Sequence, residues 1–193
     1  MIWIKICGIT SAADANAAID AGVSAIGLVF ATSPRQVSIE QAAEIAACAR
    51  DRVEIVGVFK EVATVAQAHA AIRFDRIQIH SDEPLQADVP ILRARHPESR
   101  EDFAMNDGEM ILMDGSEGRG QEFSWVRAQP MVASVGRVVI AGGLTPDNVG
   151  SAIAAILPFG VDVSSGVESA PAKKDRILMT RFVEAVRRAD GLR

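Results

Sequence analysis

The feature that most limits how this chain folds is an eightfold alternation of short apolar runs with longer helical segments. The runs are about four to seven residues long and rich in Ile and Val, which is typical of strands covered on both faces. Strand–helix alternation of this kind favours a (β/α)8 TIM barrel of the α/β class. The rival, an open doubly wound sheet, typically has five or six strands. The eight predicted strands are Ile2 to Ile6, Ala25 to Phe30, Val53 to Phe59, Arg76 to His80, Pro90 to Ala94, Met110 to Met113, Arg137 to Ala141 and Gly160 to Val163.

The alternation continues along all 193 residues without a Pro- or Ser-rich linker, so we expect a single barrel domain over residues 1–193. Barrels of this kind are rarely shorter than about 200 residues, so one element should be reduced. Between His80 and Pro90 the sequence SDEPLQADV has room for little more than one helical turn. We therefore predict a shortened or missing helix after strand 4. Its loss would lower stability or expose an apolar patch, and a partner subunit could cover such a patch.

Charge and hydropathy exclude several classes of partner. The formal net charge of −5 argues against a nucleic-acid partner, although a local site for a small anion is compatible with it. No apolar run is long enough to span a membrane, and no secretory signal opens the sequence. Cys7 and Cys48 are too isolated to indicate a disulfide framework. We expect a cytoplasmic protein, monomer or homodimer, that acts on a small molecule.

Reactive and glycine-rich residues follow the predicted strands at the point where each strand ends. In a barrel these carboxyl ends meet at one rim, where active sites lie. The candidates on this rim are Cys7-Gly8, Ser33-Pro34-Arg35, His80, Asp114 with the segment DGSEGRGQEF, Ala141-Gly142-Gly143-Leu144, and Asp162 with Ser164-Ser165-Gly166.

Two of these candidates, Gly142-Gly143 and Ser164-Ser165-Gly166, follow neighbouring strands and lack bulky side chains. Such loops expose several backbone N–H groups to one point, which is how many barrels bind phosphate. Each turn alone is also compatible with an ordinary tight turn that needs glycine. Their adjacency favours a phosphate site.

Cys7 and Asp114 form a plausible base and acid pair. A thiol can act as a base if a positive neighbour or a helix N-terminus lowers its pKa, and a partly protonated carboxyl group can act as the acid. Alternatively, Cys7 is a packed thiol and Asp114 a turn residue. Whether Lys5 faces Cys7 depends on where the strand ends, which the sequence leaves open. Arg35 either reaches a substrate carboxylate or is a solvated loop residue.

The remaining candidates are weaker. His80 either bonds nearby backbone or contacts the substrate, and we include it among the substrate-binding candidates. Cys48 lies in an alanine-rich helix and is expected in the core. His69 and His96 have no metal-ligand spacing with their neighbours, and the GRG of residues 118–120 lacks the third glycine of a dinucleotide fingerprint. We therefore expect no metal and no cofactor.

Taken in order, several motifs resemble the phosphoribosylanthranilate isomerase family of tryptophan biosynthesis. They are KICGIT, the Ser-Pro-Arg loop, VGVF, QIHSDEP, the Asp114 loop with GRGQEFSW, AGGLTPDNV and GVDVSSGVE with the later KKD. The resemblance implies a cofactor-free Amadori rearrangement of N-(5′-phosphoribosyl)anthranilate, a phosphorylated small molecule.

The same resemblance implies a role for each candidate. Asp114 would be the general acid and Cys7 the general base, with Gly8 leaving room for the substrate beside Cys7. Arg35 would bind the anthranilate carboxylate, and Asp162 would lie near the sugar hydroxyls. The phosphate would bind at the two turns already described.

Some residues depart from the family pattern. Gln36 replaces a frequent aromatic residue, Ser81 and Ala172 replace usual glycines, and Ser124 replaces a usual aspartate. Related barrels fit less well: aminoimidazole carboxamide ribotide isomerase would have paired aspartates at strands 1 and 5, and a sugar-phosphate epimerase would have metal-binding histidines. A non-catalytic barrel that binds phosphorylated metabolites or partner proteins is the alternative from another class.

Overall fold

The computed structural model describes residues 1–95, 109–114, 132 and 136–192. Eight parallel strands follow one another around a closed barrel, and β8 pairs with β1 to complete it. The predicted barrel is therefore confirmed, and the open doubly wound sheet is excluded. The strands are β1 (Trp3–Cys7), β2 (Ala25–Val29), β3 (Glu54–Phe59), β4 (Arg76–Ile79), β5 (Ile91–Arg95), β6 (Met110–Asp114), β7 (Val138–Ala141) and β8 (Gly160–Val163).

Helices of the described residues pack around the outside of the barrel. They are α1 (Ala12–Ala21), α2 (Ile39–Ala49), α3 (Val65–Ile72), α4 (Val149–Ile156) and α5 (Arg176–Asp190), with 3-10 turns at Val62–Thr64 and Ser165–Val167. After β8 the chain forms a small antiparallel hairpin of β9 (Glu168–Ala170) and β10 (Lys173–Lys174). None of these helices is long and apolar enough to cross a membrane.

Helix α2 shows how local sequence starts an outer helix. The Ser38 hydroxyl accepts a hydrogen bond from the backbone N–H of Gln41 at 3.2 Å, which satisfies a donor that the first helical turn leaves free. Cys48 lies near the end of this helix and packs against the core from a partly buried position. The capping serine thus marks the residue at which α2 begins, and the buried residues of the helix pack it against the core.

The connection between β4 and β5 contains no helix, as its length predicts. Leu85 and Val89 are instead half-buried and pack against the main hydrophobic core. His69 Nε2 lies 3.0 Å from the Asp88 carboxylate, which holds the connection against α3. Among the described residues, no large exposed apolar side chain lies in this connection. The prediction of an exposed apolar patch in this connection is therefore wrong, because the connection packs its own apolar side chains against the barrel.

Strand β1 separates the two cores of the barrel by the alternation of its side chains. Ile4 and Ile6 belong to the core between strands and helices, whereas Trp3 and Cys7 belong to the smaller core inside the barrel. Lys5 has the parity of the second set and is fully buried. The barrel interior therefore ends, at its carboxyl rim, in a charged and a sulfur-containing side chain.

Candidate active site

The candidate site is a cavity of about 290 Å³ at the carboxyl ends of the strands. All of the site residues predicted from the sequence line it, although their roles remain predictions. They are Cys7, Arg35, His80, Asp114, Gly142, Gly143, Asp162, Ser164, Ser165 and Gly166. The segment predicted to continue the site after Asp114, residues 115–123, lies outside the described residues, as do His96 and Ser124.

The order of the strands determines the order of the candidate residues around the rim. Asp114 ends β6, and the Gly142-Gly143 turn follows β7. The Ser164-Ser165-Gly166 turn then follows β8, and Cys7 ends β1. Because β6, β7, β8 and β1 are successive neighbours, the two turns lie between the carboxyl group and the thiol. An anion held at the turns would therefore have a carboxyl group on one side and a thiol on the other.

Below the cavity floor, Lys5 forms a buried ion pair with Asp162. Lys5 Nζ lies 2.8 Å from Asp162 Oδ2, and the two side chains are 0% and 7% exposed. Burial on its own lowers the pKa of Lys5, but Asp162 and Cys7 outweigh it and hold the pKa above its ordinary value. Asp162 Oδ1 is buried and has no hydrogen-bond partner among the described residues. Asp162 itself lines the cavity, so this oxygen is an unsatisfied acceptor at the edge of the site.

Cys7 lies beside the same ammonium group. A Cβ added at Gly27 would be 3.0 Å from both Cys7 Sγ and Lys5 Cε, so this glycine of β2 makes room for the two side chains. Burial raises the pKa of the Cys7 thiol above its ordinary value, and Lys5 opposes that shift without reversing it. The positive neighbour expected of a thiol base is present, but the net shift is opposite to the one expected.

Arg35 does not project freely over the cavity. Its Nε and Nη2 donate to Glu168 Oε1 and Oε2, each at 2.7 Å. Its aliphatic stem lies over Gly8, where an added Cβ would clash with Arg35 Cδ. Gly8 has a φ of 74°, a backbone conformation that favours glycine. The space beside Gly8, expected to receive the substrate, is occupied by Arg35.

The two glycine-rich turns are packed against each other. A Cβ on Gly166 would clash with the carbonyl oxygen of Leu144, so the turn after β8 requires a glycine for space. Gly142 and Gly143 have φ of 89° and 67°. The backbone N–H groups of Gly143, Ser165 and Gly166 make no hydrogen bond to any described residue. The local structure thus leaves donors for an anion, as phosphate-binding barrels do.

His80 contributes a neutral polar group to the opposite wall. Burial lowers its pKa from the ordinary 6.5 to about 4, despite the nearby Asp114 carboxylate. Gln78 Nε2 lies 2.8 Å from His80 Nε2 and donates to the neutral ring. Gln78 Oε1 is buried without a hydrogen-bond partner among the described residues. The pair therefore lines the cavity with neutral polar side chains rather than with a charge.

Five polar residues at or near this site were not named as site residues from the sequence, although Lys5 was considered as a neighbour of Cys7. Lys60 and Gln78 line the cavity itself, whereas Lys5, Glu168 and Lys174 hold its wall from behind. A lysine inside the apolar run WIKIC, and the charges in GVE and KKD, are signals that could have found three of them. Among the described residues no group of three or more His, Cys, Asp or Glu side chains could hold a metal.

Comparison with known proteins identifies one enzyme family. The model of the N-(5′-phosphoribosyl)anthranilate (PRA) isomerase family matches residues 4–185. A relative named N-(5′-phosphoribosyl)anthranilate isomerase, from Magnetococcus marinus, is 42% identical over 207 residues and covers 98% of each chain. Another of the same name, from Pelobacter propionicus, is 39% identical over 198 residues, which is 95% of this chain and 94% of the relative.

Solved structures of phosphoribosyl anthranilate isomerases are similar over the full barrel. The Thermus thermophilus structure has a TM-score of 0.88 at 29% identity and covers 100% of both chains. A second structure, in complex with reduced 1-(o-carboxyphenylamino)-1-deoxyribulose 5-phosphate, has a TM-score of 0.82 at 31% identity, over 99% of this chain and 100% of that chain. A third, of monomers generated from a dimeric isomerase of Thermotoga maritima, has a TM-score of 0.83 at 31% identity and the same coverage. Related structures therefore include monomers and dimers.

Proposed function

Since this chain belongs to the N-(5′-phosphoribosyl)anthranilate isomerase family of tryptophan biosynthesis, we propose that it catalyses an Amadori rearrangement. The substrate is N-(5′-phosphoribosyl)anthranilate, and the product is 1-(2-carboxyphenylamino)-1-deoxyribulose 5-phosphate. The observation that carries the proposal is the rim order of Asp114, two glycine-rich turns and Cys7 around one cavity.

In the first step Asp114 gives a proton to the ring oxygen of the ribose. The bond from C1′ to that oxygen breaks, the anthranilate nitrogen supplies the electron pair, and a protonated Schiff base forms. Asp114 ends β6 beside the turn that follows β7, so a substrate whose phosphate is bound at the turns has its sugar within reach of this rim. Asp162 Oδ1 accepts a hydrogen bond from a sugar hydroxyl.

In the second step Cys7 takes the proton from C2′, and the electron pair moves to the C1′–C2′ bond as the iminium is neutralised. The resulting enolamine tautomerises to the ketone, with a proton lost from the C2′ hydroxyl and one gained at C1′. No net proton or electron is exchanged with solvent. The buried ammonium of Lys5 stabilises the thiolate form that this step needs.

Residues at the strand ends separate this activity from those of related barrels. A single cysteine ends β1, and Arg95 ends β5, where the ribotide isomerase would need aspartates. A metal-dependent epimerase would need a ligand cluster, and the described residues contain none. If the non-catalytic alternative is right, the protein should bind phosphate but should not open the ribose ring.

The proposal is tested by the decay of anthranilate fluorescence on freshly made phosphoribosylanthranilate. Cys7→Ser and Asp114→Asn should each lower kcat by at least the roughly 100-fold typical of a general acid or base. Cys48→Ser and Asp147→Asn are matched controls, since Cys48 lies in α2 and Asp147 is an exposed residue paired with Arg181. Near-wild-type rates in both site variants, or no turnover by the unmodified protein, would overturn the proposal.

A further inference from the structure

Arg35 and Glu168 form a paired, nearly buried contact at the side of the cavity. Glu168 is 4% exposed and Arg35 16%, and both Arg35 contacts are 2.7 Å long. A guanidinium group has five N–H donors in one plane. Glu168 uses one on Nε and one on Nη2, so two on Nη1 and one on Nη2 remain. Arg35 Nη1 has no partner among the described residues.

Glu168 is itself fixed by Lys174, a side chain that is fully buried. Lys174 Nζ donates to Glu168 Oε1 at 2.7 Å and to the Ser164 carbonyl oxygen at 3.0 Å. The β9–β10 pairing sets Lys174 opposite Glu168, so the hairpin brings the two charges together. One buried network therefore joins Arg35 to Ser164 in the turn after β8.

The charges of this network do not cancel. Arg35 and Lys174 are cations, and Glu168 is the single anion between them. Burial by itself raises the pKa of Glu168, but the bonds from Arg35 and Lys174 hold that pKa below its ordinary value, so Glu168 stays ionised. The cluster carries one excess positive charge, and Arg35 lines the cavity. A ligand carboxylate would complete both the charge and the hydrogen bonding.

We propose that Glu168, anchored by Lys174, is a positioning residue that turns the unused Nη1–Nη2 edge of Arg35 toward the aromatic carboxylate of the substrate. This inference rests on the proposed function. Glu168 binds the side edge of the guanidinium group. The absence of a Cβ at Gly8 makes room for the aliphatic stem of Arg35 in this position. The planar end edge then suits a second carboxylate in a paired geometry.

Glu168→Gln tests the inference because it keeps the shape of the side chain and removes its charge. We expect KM for phosphoribosylanthranilate to rise about tenfold while kcat changes less than about threefold, since Arg35 contacts no reacting atom. Binding is measured with the reduced 1-(o-carboxyphenylamino)-1-deoxyribulose 5-phosphate and with the phenylamino analogue that lacks the carboxyl group. Only the carboxylated ligand should bind about tenfold more weakly, and inhibition by inorganic phosphate should not change.

A thermodynamic cycle shows whether Glu168 acts through Arg35. In an Arg35→Ala background, Glu168→Gln should alter affinity for the carboxylated ligand less than about twofold. Glu184→Gln, an exposed glutamate of α5, is the matched control and should leave both ligands unaffected. Glu168→Asp keeps the charge but is one methylene too short for both bonds, and it should selectively weaken the carboxylated ligand if Glu168→Gln does not fold.

Three outcomes would overturn the inference and leave the proposed function in place. Equal weakening of both ligands would indicate a general structural role, and tighter binding of the carboxylated ligand would mean that Glu168 competes with it. An undiminished effect in the Arg35→Ala background would mean that Glu168 does not act through Arg35. Failure of the wild-type protein to bind or isomerise the carboxylated compounds would overturn the proposed function, and this inference with it.

Discussion

Lys5 and Asp162 lie opposite each other in the β1–β8 register that closes the barrel, and their ion pair is 2.8 Å long. The Lys5 ammonium also faces Cys7, so one buried positive charge serves a carboxylate and a thiol. Asp162 uses only Oδ2 in the pair, and its Oδ1 is buried without a hydrogen-bond partner among the described residues. The pairing of β1 with β8 that closes the barrel thus also brings Lys5 and Asp162 together beside the proposed base.

Lys5→Met should raise the pKa of the Cys7 thiol further, because the charge of Lys5 is the largest influence that opposes the effect of burial. The measurement is the rate of Cys7 alkylation by iodoacetamide as a function of pH, in a Cys48→Ser background so that one thiol reacts. The same change leaves Asp162 buried and unpaired, which costs about 3–5 kcal/mol of unfolding free energy. An unchanged alkylation profile in folded Lys5→Met protein would contradict this prediction.

Asp162→Asn provides the opposite change and serves as the control for Lys5→Met. The Asp162 charge raises the pKa of Cys7, so its removal should lower that pKa and speed alkylation at neutral pH. In the double variant the loss of Lys5 should outweigh the loss of Asp162, and the double variant should lie between Lys5→Met and wild type. Shifts of the same sign in both single variants would mean that the mutations act by loosening the site rather than through charge.

The sequence predicts the barrel and its rim because both depend on local patterns. Each Ile- and Val-rich run predicts a strand, and parallel strands carry their last residues to the same rim, which brings Cys7 and Asp114 to one cavity. The missing helix after β4 follows from the short total length together with the short segment between His80 and Pro90. The sequence does not tell that Leu85 and Val89 fold back over the barrel, because that depends on the path of the loop in three dimensions.

Side-chain direction and distant pairing explain what sequence reasoning missed. Cys7 is the last residue of β1 rather than the first residue beyond it, and this alone decides that Lys5 shares its face. Arg35 and Glu168 are 133 residues apart, and no local pattern connects them. Lys174 joins them only because a two-residue strand returns beside Glu168. Such contacts are properties of the closed fold.

His80 should make the stability of the protein depend on pH below neutrality. Burial lowers its pKa from 6.5 to about 4, so between these values the unfolded chain binds a proton that the folded chain does not. The free energy of unfolding should therefore fall as the pH falls from 6.5 to 4, by about 1–3 kcal/mol from this partly buried residue. Chemical denaturation of wild type and His80→Gln should give a difference that changes across this window, and parallel curves would contradict the assignment.

Gly166→Ala should disturb the two glycine-rich turns together. An added Cβ has no space beside the Leu144 carbonyl, so one of the turns must move. We expect KM for phosphoribosylanthranilate and the inhibition constant for inorganic phosphate each to rise about tenfold or more. The reason is that the free backbone N–H groups of the two turns would no longer be directed at the same point. Gly150→Ala is the control, because its Cβ would meet nothing within 4 Å, and it should stabilise α4 by about 0.5–1 kcal/mol. Unchanged phosphate inhibition in Gly166→Ala would contradict the phosphate assignment.

Ala172 stands where glycine is usual in the family, and it has a φ of 62° in the turn between β9 and β10. A left-handed conformation costs a non-glycine residue roughly 1–2 kcal/mol, and the greater freedom of glycine in the unfolded chain offsets part of that. Ala172→Gly should therefore raise the free energy of unfolding by about 0.5–1 kcal/mol in urea denaturation. Ala154→Gly, at an exposed position of α4, should instead lower it by about 1 kcal/mol. Equal losses in the two variants would mean that the turn stores no such strain. A gain at Ala172 would show that the hairpin carrying Glu168 and Lys174 retains its shape at the expense of a strained residue.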